Sequence, residues 1–583
     1  LAGGKGLLLS ALIGRMYYLQ VVEQDRYRTL SDKNRISVRI IPPRRGRITD
    51  RNGKLIAINN QNYRLSVIPE DTEGRMNEVL HNLAKILPLS ESDIRSILRK
   101  AKRSKSFLPI SIIDNLTWQH VAQVEVNTPS LPGILIEAGY TRFYPFREKI
   151  AHILGYVGAP KESQLGDGPM FALPDFRVGK TGIEKKYDDQ LIGQHGTKQV
   201  EINAQGREIR EISRNDGKVG NDLRLSIDQN LQIDVSKRLL NKSAAAVVMN
   251  VHTGEVLAMA SSPSYDPNKF VNGLSNKAWQ QLLTDPLSPL TNKAIAGVYA
   301  PGSTFKTCVG LAALETQSIS PTERVYCPGY YDVGKNRFHC WKRGGHGHVN
   351  MHEAIQQSCD VYFYEVAKRT GIDSIGRYAK ALGLNQVTGI DLPGESSGLI
   401  PSKDWKRATI GSPWLIGETI IAGIGQGYVL TTPLQLATMT ARLCNGGHYV
   451  RPTLKITSNI EHAEPLGFNF QNLNVILSGM SAVTNTPRGT AFRARIQQDA
   501  LQMAGKSGTA QVRRISKNER QTGVIKNDDL DWEMRDHALF VGFAPILAPK
   551  YCAAVVIEHG GSGSNAAAPI VRDLLSNCQM RNI

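Results

Sequence analysis

The chain has 583 residues, 41% hydrophobic and 21% charged, with 70 Lys+Arg against 52 Asp+Glu and a formal net charge of +18. At roughly 150 residues per domain this is about three to four compact units with room for a large core, and the composition excludes a disordered chain, a collagen and a polytopic membrane protein. Seven cysteines are too few to staple such a length, their odd number leaves one unpaired, and the basic excess points to an anionic setting: nucleic acid, a lipid surface or an acidic polymer.

Residues 1–56 carry twelve basic side chains against four acidic ones and supply +8 of the +18. No zinc-finger, RNP or helix-turn-helix signature accompanies them, so no nucleic-acid partner is expected. The apolar run 6–14, set between Lys5 and Arg15, falls short of the about 20 apolar residues a membrane span needs. It reads either as the tail of an anchor, the chain opening on Leu1 rather than Met, or as an ordinary amphipathic helix. From 37 to 57 the pattern predicts short strands around Pro42-Pro43 and the turn Asp50-Arg51-Asn52-Gly53. Residues 60–140 are mixed; their clearest helix is 76–86, with Met76, Val79, Leu80, Leu83 and Ile86 at helical spacing. The basic cluster 99–105 is read as a solvated helix face. A helix is expected over 182–191. After Asp222 the character changes: Leu223 to Ile227 alternates like a strand, and 244–249 and 256–260 flank His252-Thr253-Gly254-Glu255 as a hairpin. The main boundary is therefore placed near 222, with one large α+β domain beyond it.

Several motifs fail on inspection. Gly423-Ile424-Gly425-Gln426-Gly427 lacks the Lys-Ser/Thr of a phosphate loop, Gln356 stands where a zinc protease opening on His352-Glu353 needs its second His, and no G-x-S-x-G elbow occurs. What does occur is Pro301-Gly302-Ser303-Thr304-Phe305-Lys306. Ser and Lys three apart at a helix start share one face. A hydroxyl needs a base to become a nucleophile, and a lysine can serve once burial and neighbouring positive charge lower its pKa. The following Cys308, Val309, Leu311, Ala312 and Leu314 predict a buried helix that supplies that setting. Ser-x-x-Lys alone is common by chance. Here Ser358-Cys359-Asp360 follows 55 residues on, and Lys506-Ser507-Gly508-Thr509 follows 203 on.

These three elements, in this order, are the signature of the serine penicillin-recognising enzymes, and the chain resembles the penicillin-binding proteins. Thr432-Pro433 and Gly508-Thr509-Ala510-Gln511 add to the likeness, as does Gly423 to Tyr428. Upstream, Arg45-Gly46-Arg47-Ile48-Thr49-Asp50-Arg51-Asn52-Gly53 is similar to the first motif of a class B pedestal. Arg142-Phe143-Tyr144-Pro145, His152 to Tyr156, and Gly182-Ile183-Glu184 with Gly193 and Gly196 are similar to its later motifs. Asp360, where most members carry Asn, together with Cys327-Pro328-Gly329-Tyr330-Tyr331 and Gly345-His346-Gly347, resembles the elongation type; Ser507 stands where the family has Thr and keeps the hydroxyl.

The resemblance implies an α+β multidomain protein. Residues 1–20 would be a partial membrane anchor and 21–222 a mostly-β pedestal with an inserted α/β head at about 60–140. Residues 223–583 would form a penicillin-binding transpeptidase domain, an antiparallel sheet flanked by helices. It also implies a peptidoglycan D,D-transpeptidase of cell elongation, a target of β-lactams, held at the bacterial inner membrane with its bulk in the periplasm. Ser303 would attack a stem peptide with Lys306 as base, Ser358 would relay a proton, and Lys506 would supply positive potential beside Asp360. Ser507, Gly508 and Thr509 would hold the substrate's terminal carboxylate, with the Ser303 and Thr509 backbone N–H groups as oxyanion donors. A polytopic glycosyltransferase and a rod-shape scaffold protein would be the partners. The rivals are a division-type transpeptidase, a β-lactamase, and a β-lactam receptor or activator that acylates without turnover.

The chemistry requires no cofactor. Cys327, Cys340, His346 and Cys359, however, fall within 33 residues next to Ser358. Three thiolates and an imidazole are a standard tetrahedral zinc set, which makes a structural zinc one expectation. The alternatives are a Cys327–Cys340 disulfide, unpaired buried thiols, or His339 or His348 in place of His346.

Overall fold

The computed structural model describes residues 2–23, 36–103, 106, 109–164, 168–172, 176–202, 208–456, 463–516, 519 and 523–583. Part of the basic amino-terminal stretch, and Ser104 and Lys105 of the second basic cluster, lie outside the described residues. Ala2–Tyr17 is helical, and among the described residues no helix is long and apolar enough to cross a membrane.

The first 225 residues build three small sheets. Strand β1 (Ile36–Ile41) comes first; β2 (Ile48–Thr49) follows, and the thirteen-residue β3 (Leu55–Val67) lies across the expected Asp50–Gly53 turn from it. Next come β4 (Ile110–Leu116), β5 (Ile134–Phe143), the short pair β6 (Val157–Gly158) and β7 (Val178–Gly179), then β8 (Gly196–Ile202), β9 (Glu208–Asn215) and β10 (Leu223–Arg224). The sheets run β1-β8-β9, β10-β2-β3-β4 with β5 also on β3, and β6-β7. Strand β3 leads from one sheet into the head, pairing with β5 from Ile58↔Phe143 to Val67↔Ile134. The head closes on its own core, where Val79 and Leu83 of helix Met76–Ala84 meet Leu65, Leu116 and Val124. Three of the sequence motifs meet at the buried Glu184, which accepts 2.6 Å bonds from Arg45 Nε and Arg142 Nε and one from the Tyr144 hydroxyl.

The helix expected over 182–191 is a correction. It breaks at Tyr187 into Gly182–Lys186 and Asp188–Ile192. Tertiary partners win over local propensity: the Tyr187 hydroxyl reaches Asp391 at 2.9 Å, while Asp188 accepts from Gly179 N at 2.9 Å and pairs with Arg45 at 2.7 Å. Likewise only Leu223 and Arg224 of the alternating stretch join a strand ladder, because Leu225 and Ser226 turn to residues 454–455 instead.

The rest of the chain is organised on one antiparallel sheet. Strands β11 (Ala244–Asn250) and β12 (Val256–Ser262) form the expected hairpin, and β17 (Ala504–Ala510), β18 (His537–Ala544) and β19 (Tyr551–Ile557) complete the order β12-β11-β19-β18-β17. Between them a small excursion adds β13 (Val325–Cys327), β14 (Tyr330–Val333), β15 (Asn336–His339) and β16 (Gly347–Val349), paired β13-β16 and β14-β15. Both faces of the large sheet are covered, so β18 and β19 are almost continuously apolar rather than alternating. Helices Gln229–Arg238 and Ala568–Arg581 pack together on one face, with Val571 against Gly542; Pro433–Cys444, buried over its whole length, lies on the other, where Cys552 meets the Ala437 carbonyl. Beyond Pro433–Cys444 stands a helical lobe built on Lys306–Glu315, Asp360–Thr370, Ile416–Ala422 and Phe470–Asn485. Strand β17 is the sheet's edge, and the site lies where that edge meets the lobe.

Candidate active site

Backbone contact, not side-chain reach, positions Ser303. Gly302 has φ +53°, and a Cβ there would lie 2.6 Å from the Thr509 carbonyl oxygen of β17; a Cβ on Gly425 would lie 2.2 Å from the Gly302 carbonyl oxygen. Only glycine fits both positions without a shift. The tight turn Gly302–Phe305 that follows passes into helix Lys306–Glu315, nine of whose ten residues are buried. Ser303 is thereby held beside β17, half-buried, and its hydroxyl has no hydrogen-bond partner among the described residues. Lys306, three residues on, points from the same face into the interior.

Lys306 and Lys506 are both 0% exposed. Lys306 Nζ lies 2.7 Å from Asp360 Oδ1, 2.9 Å from the Ser358 carbonyl and 3.3 Å from Ser358 Oγ. Lys506 Nζ lies 2.9 Å from the same Ser358 Oγ and 3.1 Å from the Ser507 carbonyl. Ser358 thus bridges the two amines, from a left-handed backbone with φ +54°. Such a conformation costs a non-glycine residue about 1–3 kcal/mol, and here the hydrogen bonds on both sides of it hold it in place. The cluster contains two amines and one carboxylate. Burial, and then the charge of Lys306, push Lys506 well below the usual lysine range, while Asp360 opposes the shift. Burial raises Asp360 above the usual carboxylate range against the pull of Lys306.

The remaining sequence candidates fall along β17. Ser507 is buried, its hydroxyl 3.0 Å from that of Thr490, whereas Thr509 is exposed and its carbonyl accepts from Gln426 Nε2 at 3.0 Å. Gly508 abuts Pro301 and Thr304 so closely that a Cβ would meet the Pro301 carbonyl oxygen at 2.7 Å. Thr490, Gln426 and Trp341 carry no individual signal in the sequence that marks them for this site. Trp341 donates its backbone N–H to Asp360 Oδ2 at 2.8 Å and its indole N–H to the Ser358 carbonyl at 3.1 Å. Its one local signal is its place directly after Cys340.

The Cys/His set is assembled. The ligand atoms of Cys327, Cys340, His346 and Cys359 all lie within 4.8 Å of one another, and all seven cysteines are free thiols. His346 Nδ1 is 3.6 Å from Cys327 Sγ and 3.5 Å from Cys340 Sγ. A tetrahedral zinc with bonds of about 2.0–2.3 Å spaces its ligand atoms roughly 3.5–3.8 Å apart, so these residues fit the ion. Hydrogen bonding from Cys340 and Cys359 pulls Cys327 down, while hydrogen bonding to Cys327 and Cys340 pushes Cys359 up. Three thiolates cannot coexist there without a cation. Cys359 also caps helix Asp360–Thr370, accepting from Tyr362 N.

A hydroxyl set beside two buried lysines at a sheet edge defines a serine acyl-transfer enzyme. The model of the penicillin binding protein transpeptidase domain matches residues 244–576, and that of the penicillin-binding protein dimerisation domain matches 40–225. The chain is 37% identical over 581 residues to the peptidoglycan D,D-transpeptidase MrdA of Acinetobacter baumannii, covering 97% of this chain and 85% of the relative. It superposes with a TM-score of 0.82 at 30% identity on a chain of the complex between penicillin-binding protein PBP2 and MreC from Helicobacter pylori, covering 94% and 99%. On a chain of a peptidoglycan synthase complex, described as coordinating polymerization and crosslinking, the TM-score is 0.73 at 27% identity, covering 99% and 97%. The chain belongs to the penicillin-binding proteins. It is a D,D-transpeptidase with a dimerisation domain and a transpeptidase domain.

The electrostatics predict the pH dependence of acylation. Lys506 sheds its charge below the usual lysine range, which frees it to take a proton through Ser358 Oγ, so acylation is expected to rise with pH along a limb that lies below that range. The Asp360 carboxylate holds Lys506 up; Asp360→Asn therefore moves the limb to lower pH. Stopped-flow acylation by a chromogenic β-lactam across pH reads both, and a limb that Asp360→Asn moves upward contradicts the assignment.

Proposed function

We propose that the chain cross-links peptidoglycan stem peptides during elongation through an acyl-Ser303 intermediate. The observation that carries this is the Gly302 contact with Thr509, which places Ser303 against the edge strand while Lys306, Ser358 and Lys506 form one buried chain of proton carriers. A donor peptide lies extended along β17, adding to its open edge as a strand would. The hydroxyls of Ser507 and Thr509 hold its terminal carboxylate.

For Lys306 to act as base it must first be neutral. Asp360 Oδ1, 2.7 Å from its Nζ, stands in place to take the departing proton. Ser303 Oγ then bonds to the carbonyl carbon between the two D-Ala residues, and its proton goes to Lys306. The backbone N–H groups of Ser303 and Thr509 face the developing oxyanion; one such donor is worth about 10²–10³ in rate. As the C–N bond breaks, the leaving D-Ala nitrogen takes the proton from Lys306 through Ser358 Oγ. An acceptor amine next attacks the acyl carbon, its proton passes along the same path to Lys306, and Lys306 returns a proton to Ser303 Oγ as the ester bond breaks. A β-lactam follows the first half alone, with its ring nitrogen as leaving group.

The Cys/His set would hold a structural zinc, with Cys327, Cys340, His346 and Cys359 as ligands. When bound, such an ion would cross-link the β13–β16 excursion to the residue after Ser358. Trp341 next to one ligand and Asp360 next to another then keep fixed positions against the lysines.

We place the chain at the bacterial inner membrane, with residues 1–20 as part of a single-pass anchor, 21–222 as pedestal and 223–583 as transpeptidase domain in the periplasm. A rod-shape scaffold protein and a polytopic glycosyltransferase are its partners; the likeness to the PBP2–MreC complex and to the peptidoglycan synthase complex supports these choices. Recovery of the native protein with cytoplasmic soluble enzymes overturns this placement.

The test of the activity is turnover of a pentapeptide donor with an acceptor amine. Wild type releases D-Ala and forms the cross-linked product, and Ser303→Ala loses at least 10³ of that rate. Product from Ser303→Ala overturns the proposal, and an acyl-enzyme that never yields product favours a β-lactam receptor. Metal analysis should find about one zinc per chain, and its removal by a chelator should slow β-lactam acylation about tenfold or more. Metal-free protein acylating at full rate contradicts the zinc.

A further inference from the structure

The seam between the pedestal and the catalytic sheet encloses a cavity of about 500 Å³, and none of its lining residues belongs to the active site. This is the size of a site for a small organic ligand. Its walls are largely apolar, with Ile150 from the pedestal, Leu239 from the end of helix Gln229–Arg238, and Met259 and Ala260 from β12. Two polar atoms on the lining are buried without a hydrogen bond of good geometry: Ser264 Oγ, and His152 Nε2, whose ring lies near the Pro263 and Pro289 carbonyls. Natural proteins rarely leave buried polar atoms poorly bonded unless something else completes them. Burial and the nearby charge of Lys293 push His152 down to about 4, so its ring is neutral at ordinary pH.

The lining is also cationic. Lys149, Lys237 and Lys242 contribute to it against the single acid Glu148, and none of the three lysines has an ion-pair partner among the described residues. Lys237 and Lys242 are exposed, and Lys242 donates only to the Arg238 carbonyl at 3.2 Å. An apolar chamber with two poorly bonded polar atoms and lysines on its exposed side is complementary to one kind of molecule.

We propose that this cavity binds an anionic amphiphile, its apolar body against Ile150, Leu239 and Met259, its polar link to His152 and Ser264, and its carboxylate or phosphate among Lys149, Lys237 and Lys242. The occupant bridges the two parts of the protein where Gln232 Nε2 and Ser236 Oγ already bond the Lys149 carbonyl at 2.8 and 3.1 Å. Binding therefore stabilises that seam by mass action.

The full chain is titrated by calorimetry with dodecyl phosphate, dodecanoate and dodecyltrimethylammonium, each below its micelle concentration. Two variants accompany it: Lys237→Glu/Lys242→Glu, which alters only exposed side chains, and Ser264→Leu, which fills the chamber. Formation of the penicillin adduct shows that each variant is folded. The proposal expects one anionic amphiphile per chain, at least tenfold tighter than the cation, with a raised unfolding temperature. The charge reversal weakens the anions at least tenfold and the cation not at all, while Ser264→Leu weakens all. Preference for the phosphate assigns a lipid-type headgroup, and preference for the carboxylate a free fatty acid. Equal affinity for cation and anion, no saturable binding, or binding unchanged in both variants overturns the proposal.

Discussion

Two lysine ammonium groups with no exposure to water, sharing one carboxylate, cannot all carry their ordinary charges. Each buried charge needs a partner, and Asp360 can neutralise only one of them. The structure settles the balance by pairing Asp360 with Lys306 at 2.7 Å and leaving Lys506 to Ser358 Oγ and the Ser507 carbonyl. A group forced toward neutrality at the end of a hydrogen-bonded chain is able to move a proton. Catalytic capacity here is a consequence of where the charges were forced to sit.

The rest of the domain serves that arrangement. A sheet covered on both faces supplies the low-dielectric wall, and its fifth strand carries Lys506 inward while Thr509, on the same strand, faces out. Three glycines, at 302, 425 and 508, allow the Ser303 turn, the Gly423–Tyr428 stretch and β17 to touch backbone to backbone. On the far side, the residue after Ser358 enters the Cys/His set, and Trp341, next to Cys340, bonds both Asp360 and Ser358. The left-handed backbone of Ser358 is therefore restrained from both directions.

How much of this the sequence discloses depends on the range of each interaction. Ser303 and Lys306 are legible because three residues on a helix start mean one face. Ser358 and Lys506 are legible only through the order and distance that the family resemblance makes meaningful. The hairpin of β11 and β12 shows in its run of small and branched residues around a turn. Thr490 and Trp341 do not show, since each acts through contacts that only the folded chain brings together and bears no motif of its own. The break at Tyr187 is hidden for the same reason: Asp391 and Arg45, which cause it, lie 204 and 142 residues away. The four zinc-type ligands show as a local concentration of cysteine, but their convergence depends on how the β13–β16 excursion folds.

The central claim is that Ser303 is the nucleophile which this buried cluster activates. Intact-mass spectrometry after incubation with a penicillin tests it most directly, on wild type and on Ser303→Ala. The account predicts a single covalent adduct on wild type and none on the variant. An adduct of equal stoichiometry on Ser303→Ala would place the nucleophile elsewhere and contradict the account.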